Sequence, residues 1–190
     1  MAAARPLTKR ELKRLFIVAR ASKNPTKAEA IIQSGLSGLR ANEIASITNA
    51  QVLTDDALGI RETFILTATQ SKNKKTGHVF LTSSAREAMK RFLETSKKST
   101  SPQLPFFESQ MGGGYSANSM VQFINKLLKQ ASITTSSHSL RKTFASQLLR
   151  SGANLETIRS GLRHSTLNQV HLYCSNLHED TATIINSVRF

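Results

Sequence analysis

Apolar residues recur at helical spacing over much of the chain, and short capping signals mark where the runs begin. Thr8-Lys-Arg-Glu11 has the form of a capping box. Leu12, Leu15, Phe16 and Ala19 follow on one stripe, which predicts a helix over about 9–21. Pro25 opens a second helix through Ala28, Ile31 and Ile32 that ends near Gly35 and Gly38. A third runs from near Arg40 through Glu43, Ile44 and Ile47. Ser84-Ala-Arg-Glu87 is another capping box, ahead of Met89, Phe92 and Leu93. From Ser116, the residues Met120, Phe123, Ile124, Leu127 and Leu128 describe a strongly amphipathic helix. The last third reads as helices near 139–150, 155–162, 167–174 and 179–188, with a break at Gly152.

Two segments break the helical period. Residues 63–69 and 78–82 are β-branched and apolar, so both are predicted strands. The intervening Ser71-Lys-Asn-Lys-Lys-Thr-Gly77 has the composition of a hairpin turn. Residues 96–105 are polar with two prolines and read as a surface loop, and Gly112-Gly-Gly114 reads as a flexible turn. There is no internal repeat. The pattern predicts a mainly α fold with a small antiparallel β-hairpin or three-stranded sheet.

Composition narrows the class. The chain has 190 residues, enough for one ordinary core. Lys and Arg number 26 against 12 Asp and Glu, a formal net charge of +14, which favours a polyanionic partner. With 39% hydrophobic residues this is a globular profile, not a basic tail. The lone Cys174 excludes an internal disulfide framework and any multi-cysteine zinc module, and fits a reducing compartment. No apolar run approaches the ~20 residues that span a bilayer, and the first residues lack the apolar stretch of a signal peptide.

The candidate chemistry lies in polar residues that are ordinary one at a time. Arg40 after a glycine reads as a surface charge, Lys72-Asn-Lys-Lys75 as a soluble hairpin tip, His138 as a helix cap, and Tyr173 as core. Their order is not ordinary. Gly38-Leu-Arg-Ala-Asn-Glu43 turns into a helix. Ser137-His-Ser-Leu-Arg-Lys-Thr-Phe-Ala-Ser146 sets His138 and Arg141 three apart at a helix start, on one face. His164 and Tyr173 follow.

Taken together, these boxes resemble the catalytic domain of the tyrosine recombinases, the phage-integrase family. The resemblance runs from about Leu7 to the end of the chain. It implies that Arg40 and Arg141 clamp a DNA phosphate, that His138 and His164 are the active-site histidines, and that Tyr173 is the nucleophile. It implies a hairpin lysine as general acid, best assigned to Lys72, with Lys74 and Lys75 as alternatives. DNA contacts would come from Arg40, Lys72, Lys74, Lys75, Arg141, Lys142 and Arg163.

The implied reaction is site-specific strand exchange through a covalent 3′-phosphotyrosyl link. Paired arginine forks offset the charge that builds on the non-bridging oxygens, and a cationic site favours phenolate character in a phenol of pKa ~10. The link conserves bond energy, so the resemblance implies neither cofactor nor metal. Its partners are double-stranded DNA and, on DNA, further copies of the chain in a synaptic tetramer. The implied location is cytoplasmic and nucleoid-associated, in a prokaryote or encoded by a mobile element, with no membrane contact.

Departures from the family pattern are Arg163 in place of a glycine before the second histidine, Lys142 in place of a histidine, and Asn49 where an aspartate is common. The expected Arg163 outcome is an altered turn or an added phosphate contact. Residues 1–190 are expected to form a single catalytic domain, either a naturally minimal recombinase or a catalytic-domain fragment, without the separate helical domain that closes most family members around DNA. Other readings are a topoisomerase-like relaxing enzyme, a silent DNA-binding regulator and a basic membrane-surface protein. The last is disfavoured because the cations are spread over turns and helix starts. The tail 180–190 packs either on its own core or on a neighbouring copy.

Overall fold

A computed structural model describes residues 4–71, 76–96, 98–110, 112–163 and 166. The chain begins with α1 (Lys9–Arg20), α2 (Pro25–Gly35), α3 (Ala41–Ser46) and the single turn α4 (Asn49–Val52). Strands β1 (Thr63–Leu66) and β2 (Gly77–Phe80) follow, and then α5 (Ser83–Ser96), α6 (Ala117–Gln130), α7 (His138–Arg150) and α8 (Leu155–Leu162). The expected helices near 167–174 and 179–188 lie outside the described residues.

Local chemistry explains most helix starts. Thr8 and Glu11 form the reciprocal capping box of α1. Asn24 caps α2 with Pro25 in its first turn, Ser116 caps α6 and Asn154 caps α8. The start of α5 differs from the expected Ser84 box. The hydroxyl of Thr82 accepts from the Ala85 amide at 3.3 Å, and the helix begins at Ser83.

β1 and β2 pair antiparallel, Thr63 opposite Phe80 and Leu66 opposite Gly77. Phe64, Leu66 and Val79 point into the core while Ile65 and Phe80 face outward. The first strand is shorter than the expected 63–69. The Gln70 side chain accepts from the Thr67 amide at 3.0 Å, and the Thr67 carbonyl accepts from the Gln70 amide at 3.1 Å. A side chain that captures the backbone in this way ends the strand in a turn.

The core is built by α2 against α5, α3 against α6, and α1 against both α2 and α6. Leu15, Ile31, Ile32, Ile44, Met89, Met120 and Ile124 are fully buried there. After the exposed loop expected at 96–105, Phe106 and Phe107 turn inward and form an aromatic cluster with Phe92, ring centroids 5.0–5.7 Å apart. A smaller cluster of Phe144, Ala145, Ile158 and Leu162 joins α7 to α8. No helix among the described residues is long and apolar enough to cross a membrane.

Candidate active site

The site grows from the turn between α2 and α3. Gly38 sits at φ +84°, and a Cβ there would meet the Phe144 ring at 2.8 Å. Both facts demand glycine. The turn delivers Arg40 to the start of α3. Its backbone amide donates to Glu43 Oε2 at 2.7 Å and its Nη1 donates to Glu43 Oε1 at 2.7 Å. Glu43 supplies the cap that an arginine cannot.

Arg141 enters from α7, about a hundred residues later, and is 3% exposed. Its Nη1 donates to the Gly38 carbonyl and its Nη2 to the Leu162 carbonyl. The two boxes thus meet at one carbonyl, two residues before Arg40. The N-terminal half of α7 is held from outside as well. The Ser137 amide donates to Asn125 of α6 at 2.8 Å, and the Leu7 amide donates to Thr143 Oγ1 at 2.8 Å.

His138 is the first residue of α7 and is exposed, whereas Arg141 one turn on is buried. Lys142 beside them is half-buried.

Arg163 lies at the left-handed C-cap of α8, φ 52°. Its guanidinium turns inward. Nη2 donates to Glu43 Oε2 at 2.7 Å and to the Gly38 carbonyl at 3.0 Å, and Nη1 donates to the Gly161 carbonyl at 3.2 Å. Arg163 takes the left-handed turn conformation that suits glycine, and its side chain is directed to the protein interior. Burial lowers the Arg163 pKa and Arg40 lowers it further, against the opposing pull of Glu43. Burial likewise pushes the Glu43 carboxyl up, but Arg163, the Arg40 amide, the Arg40 guanidinium and Arg141 together outweigh it and leave the carboxyl below its ordinary value.

Lys72, Lys74, Lys75, His164 and Tyr173 lie outside the described residues. The hairpin expected to carry the lysines ends beside the cluster, since Gly77 packs on the Arg163 stem. The other tyrosine, Tyr115, packs edge-to-face on Phe123 at 5.8 Å, and burial raises its phenol pKa, opposite to what a nucleophile needs. Glu43 was visible in sequence only as the last residue of the first box. Its place between two arginines depends on α8, which sequence spacing does not locate.

Residues 5–180 match the phage integrase family. Tyrosine recombinase XerC of Bacillus subtilis (strain 168) is 30% identical over 176 residues, covering 88% of this chain and 55% of that protein. XerC of Halalkalibacterium halodurans is 32% identical over 146 residues, covering 72% of this chain and 46% of that protein. The chain spans about half the length of the curated relatives it matches. The crystal structure of XerA recombinase superposes with a TM-score of 0.77 at 21% identity, covering 99% of this chain and 66% of that one. The catalytic domain of bacteriophage HP1 integrase gives 0.64 at 21% identity, covering 97% and 96%. The XerH site-specific recombinase bound to its difH substrate gives 0.69 at 18% identity, covering 96% and 53%. These likenesses fix the integrase catalytic-domain fold.

Proposed function

Because the chain belongs to the phage integrase family, we propose that it breaks and rejoins double-stranded DNA as a site-specific tyrosine recombinase, with residues 1–190 acting as the catalytic unit. Arg40 and Arg141 grip the non-bridging oxygens of the scissile phosphate. The Tyr173 hydroxyl loses its proton and attacks phosphorus. The bond to the 5′-oxygen breaks, and that oxygen takes a proton from Lys72. His138 and His164 hydrogen-bond the phosphate and handle protons. The 3′-phosphotyrosyl link is then attacked by a 5′-hydroxyl of the partner strand, which releases the tyrosine. Lys74, Lys75 and Lys142 add contacts to the DNA backbone. Strand exchange proceeds within a synaptic tetramer, in the cytoplasm.

The observation that supports this most is the meeting of the two motif arginines. The Arg141 guanidinium rests on the carbonyl of Gly38, in the turn that presents Arg40. Two sequence-distant arginine boxes share one anchor.

The test uses a pool of nicked duplexes that trap the covalent intermediate. The wild type is expected to give a denaturant-resistant adduct with a free 5′-hydroxyl end, and Tyr173→Phe none, while duplex affinity survives. Adduct formation by Tyr173→Phe, or a 5′-phosphotyrosyl product, overturns the reading. A 5′-bridging sulfur leaves without a proton, so it should rescue Lys72→Ala. Failure of that rescue moves the general acid to Lys74 or Lys75.

A further inference from the structure

Residue 163 is a position where backbone and side chain favour different residues. A φ of 52° suits glycine and strains arginine. An arginine is nevertheless present, with its side chain 10% exposed. Its stem passes Gly77, the first residue of β2, so closely that a Cβ on Gly77 would lie 2.9 Å from Arg163 Cδ. Its head reaches Glu43, the Gly38 carbonyl and the Gly161 carbonyl. One side chain therefore touches the turn that carries Arg40, the end of α8, and the base of the hairpin.

The charge arrangement gives the contact a consequence. Glu43 is fully buried, with Oε1 on Arg40 and Oε2 shared by the Arg40 amide and Arg163. With Arg163 in place the cluster sets three guanidinium groups against one carboxylate. Without it, only Arg40 and Arg141 offset Glu43, and the net charge of the cluster falls from +2 to +1. The Arg163 Nε is itself buried, so the head is built into the protein.

We propose that Arg163 is a positioning residue of the phosphate site: it offsets Glu43 so that Arg40 keeps its charge for the phosphate, and its stem seats the hairpin at Gly77, without contacting DNA itself. This rests on the recombinase reading for the phosphate and stands apart from it for the packing.

Two measurements decide it. In urea denaturation, Gly77→Ala should lower the midpoint in the wild-type background and leave it unmoved when Arg163→Gly is present, because the clash has gone. Equal losses in both backgrounds overturn the proposal. Glu43→Gln added to Arg163→Gly removes the stranded carboxylate, so the comparison holds even where the single variant does not fold.

For function, Arg163→Gly should slow adduct formation about tenfold to a hundredfold while the salt dependence of binding to an arbitrary short duplex stays that of the wild type. Arg163→Lys, equally strained in its turn but still cationic, should recover part of the rate. A salt slope lowered by about 1 means a direct phosphate contact and overturns the proposal. So does an unchanged rate, because a role confined to the turn makes glycine the better residue. No adduct from the wild type sinks the recombinase reading instead, and the urea comparison still decides the packing.

Discussion

Lys98 Nζ donates to Asn49 Oδ1 at 2.8 Å, and the same asparagine donates its Nδ2 to the carbonyls of Ser99 at 3.0 Å and Ser101 at 2.9 Å. Asn49 is 1% exposed, at the start of α4, so this pair ties the loop after α5 to the core. Lys98 also donates to the carbonyls of Pro105 and Phe106 and lies 4.6 Å from the Phe106 ring centroid. An amide serves here because it offers donors to two carbonyls and an acceptor to the ammonium. Asn49→Ala leaves those carbonyls and one ammonium hydrogen short of partners, and should cost about 1–3 kcal/mol in urea denaturation. A loss below a few tenths would mean that water replaces the amide.

Acid sensitivity should trace to Glu11. The Arg5 side chain, with help from the Thr8 amide and hydroxyl and against the effect of burial, holds its carboxyl at about 2 instead of 4.5. A carboxylate with a depressed folded-state pKa contributes stability that is complete above about pH 4.5 and is lost as pH falls toward 2. Glu11→Gln should therefore weaken the protein at neutral pH by about 1 kcal/mol, a capping and partly exposed ion-pair loss. The difference from wild type should shrink through that acid window. Parallel pH–stability curves would show that another group carries the acid limb.

Gly38→Ala tests the anchor of both arginines. The added methyl meets the Phe144 ring at 2.8 Å in a backbone region that favours glycine. Overpacking and left-handed strain together should cost about 2–4 kcal/mol. The carbonyl that accepts from Arg141 and Arg163 moves with the turn, so adduct formation should fall in the surviving folded protein. Full activity with full stability would show that Phe144 simply yields.

Arg40→Lys separates geometry from charge. The side chain is 12% exposed and paired to Glu43, and a lysine can keep that ion pair. It cannot keep the planar fork. Stability should fall by about 1–3 kcal/mol, whereas adduct formation should fall about 10²–10³-fold. Equal rates for the two proteins would remove Arg40 from the clamp.

The sequence by itself determined what depends on near neighbours. The Thr8–Glu11 box, Pro25 after Asn24, and Ser116 ahead of the Met120–Leu128 stripe each act within a turn or two, and the helices begin where those signals place them. The β-branched, apolar runs at 63–69 and 78–82 mark the hairpin for the same reason, up to the point where Gln70 captures Thr67. The order of the boxes carries the family resemblance that implies roles for Arg40 and Arg141.

Only the tertiary structure decided where the charges go. Phe106 and Phe107 follow a polar loop, and it is Phe92 of α5 that gives them a place in the core. Glu43 is in sequence only the last residue of the first box until α8 brings Arg163 against it. Arg163 itself, in place of a glycine, reads in sequence as an altered turn or an added phosphate contact. A long guanidinium goes wherever the nearest buried carboxylate and carbonyls lie, and those belong to Glu43 and Gly38, more than a hundred residues earlier in the chain. Periodicity and capping describe a residue's own helix or strand, whereas the partner of a buried charge is set by which elements pack together.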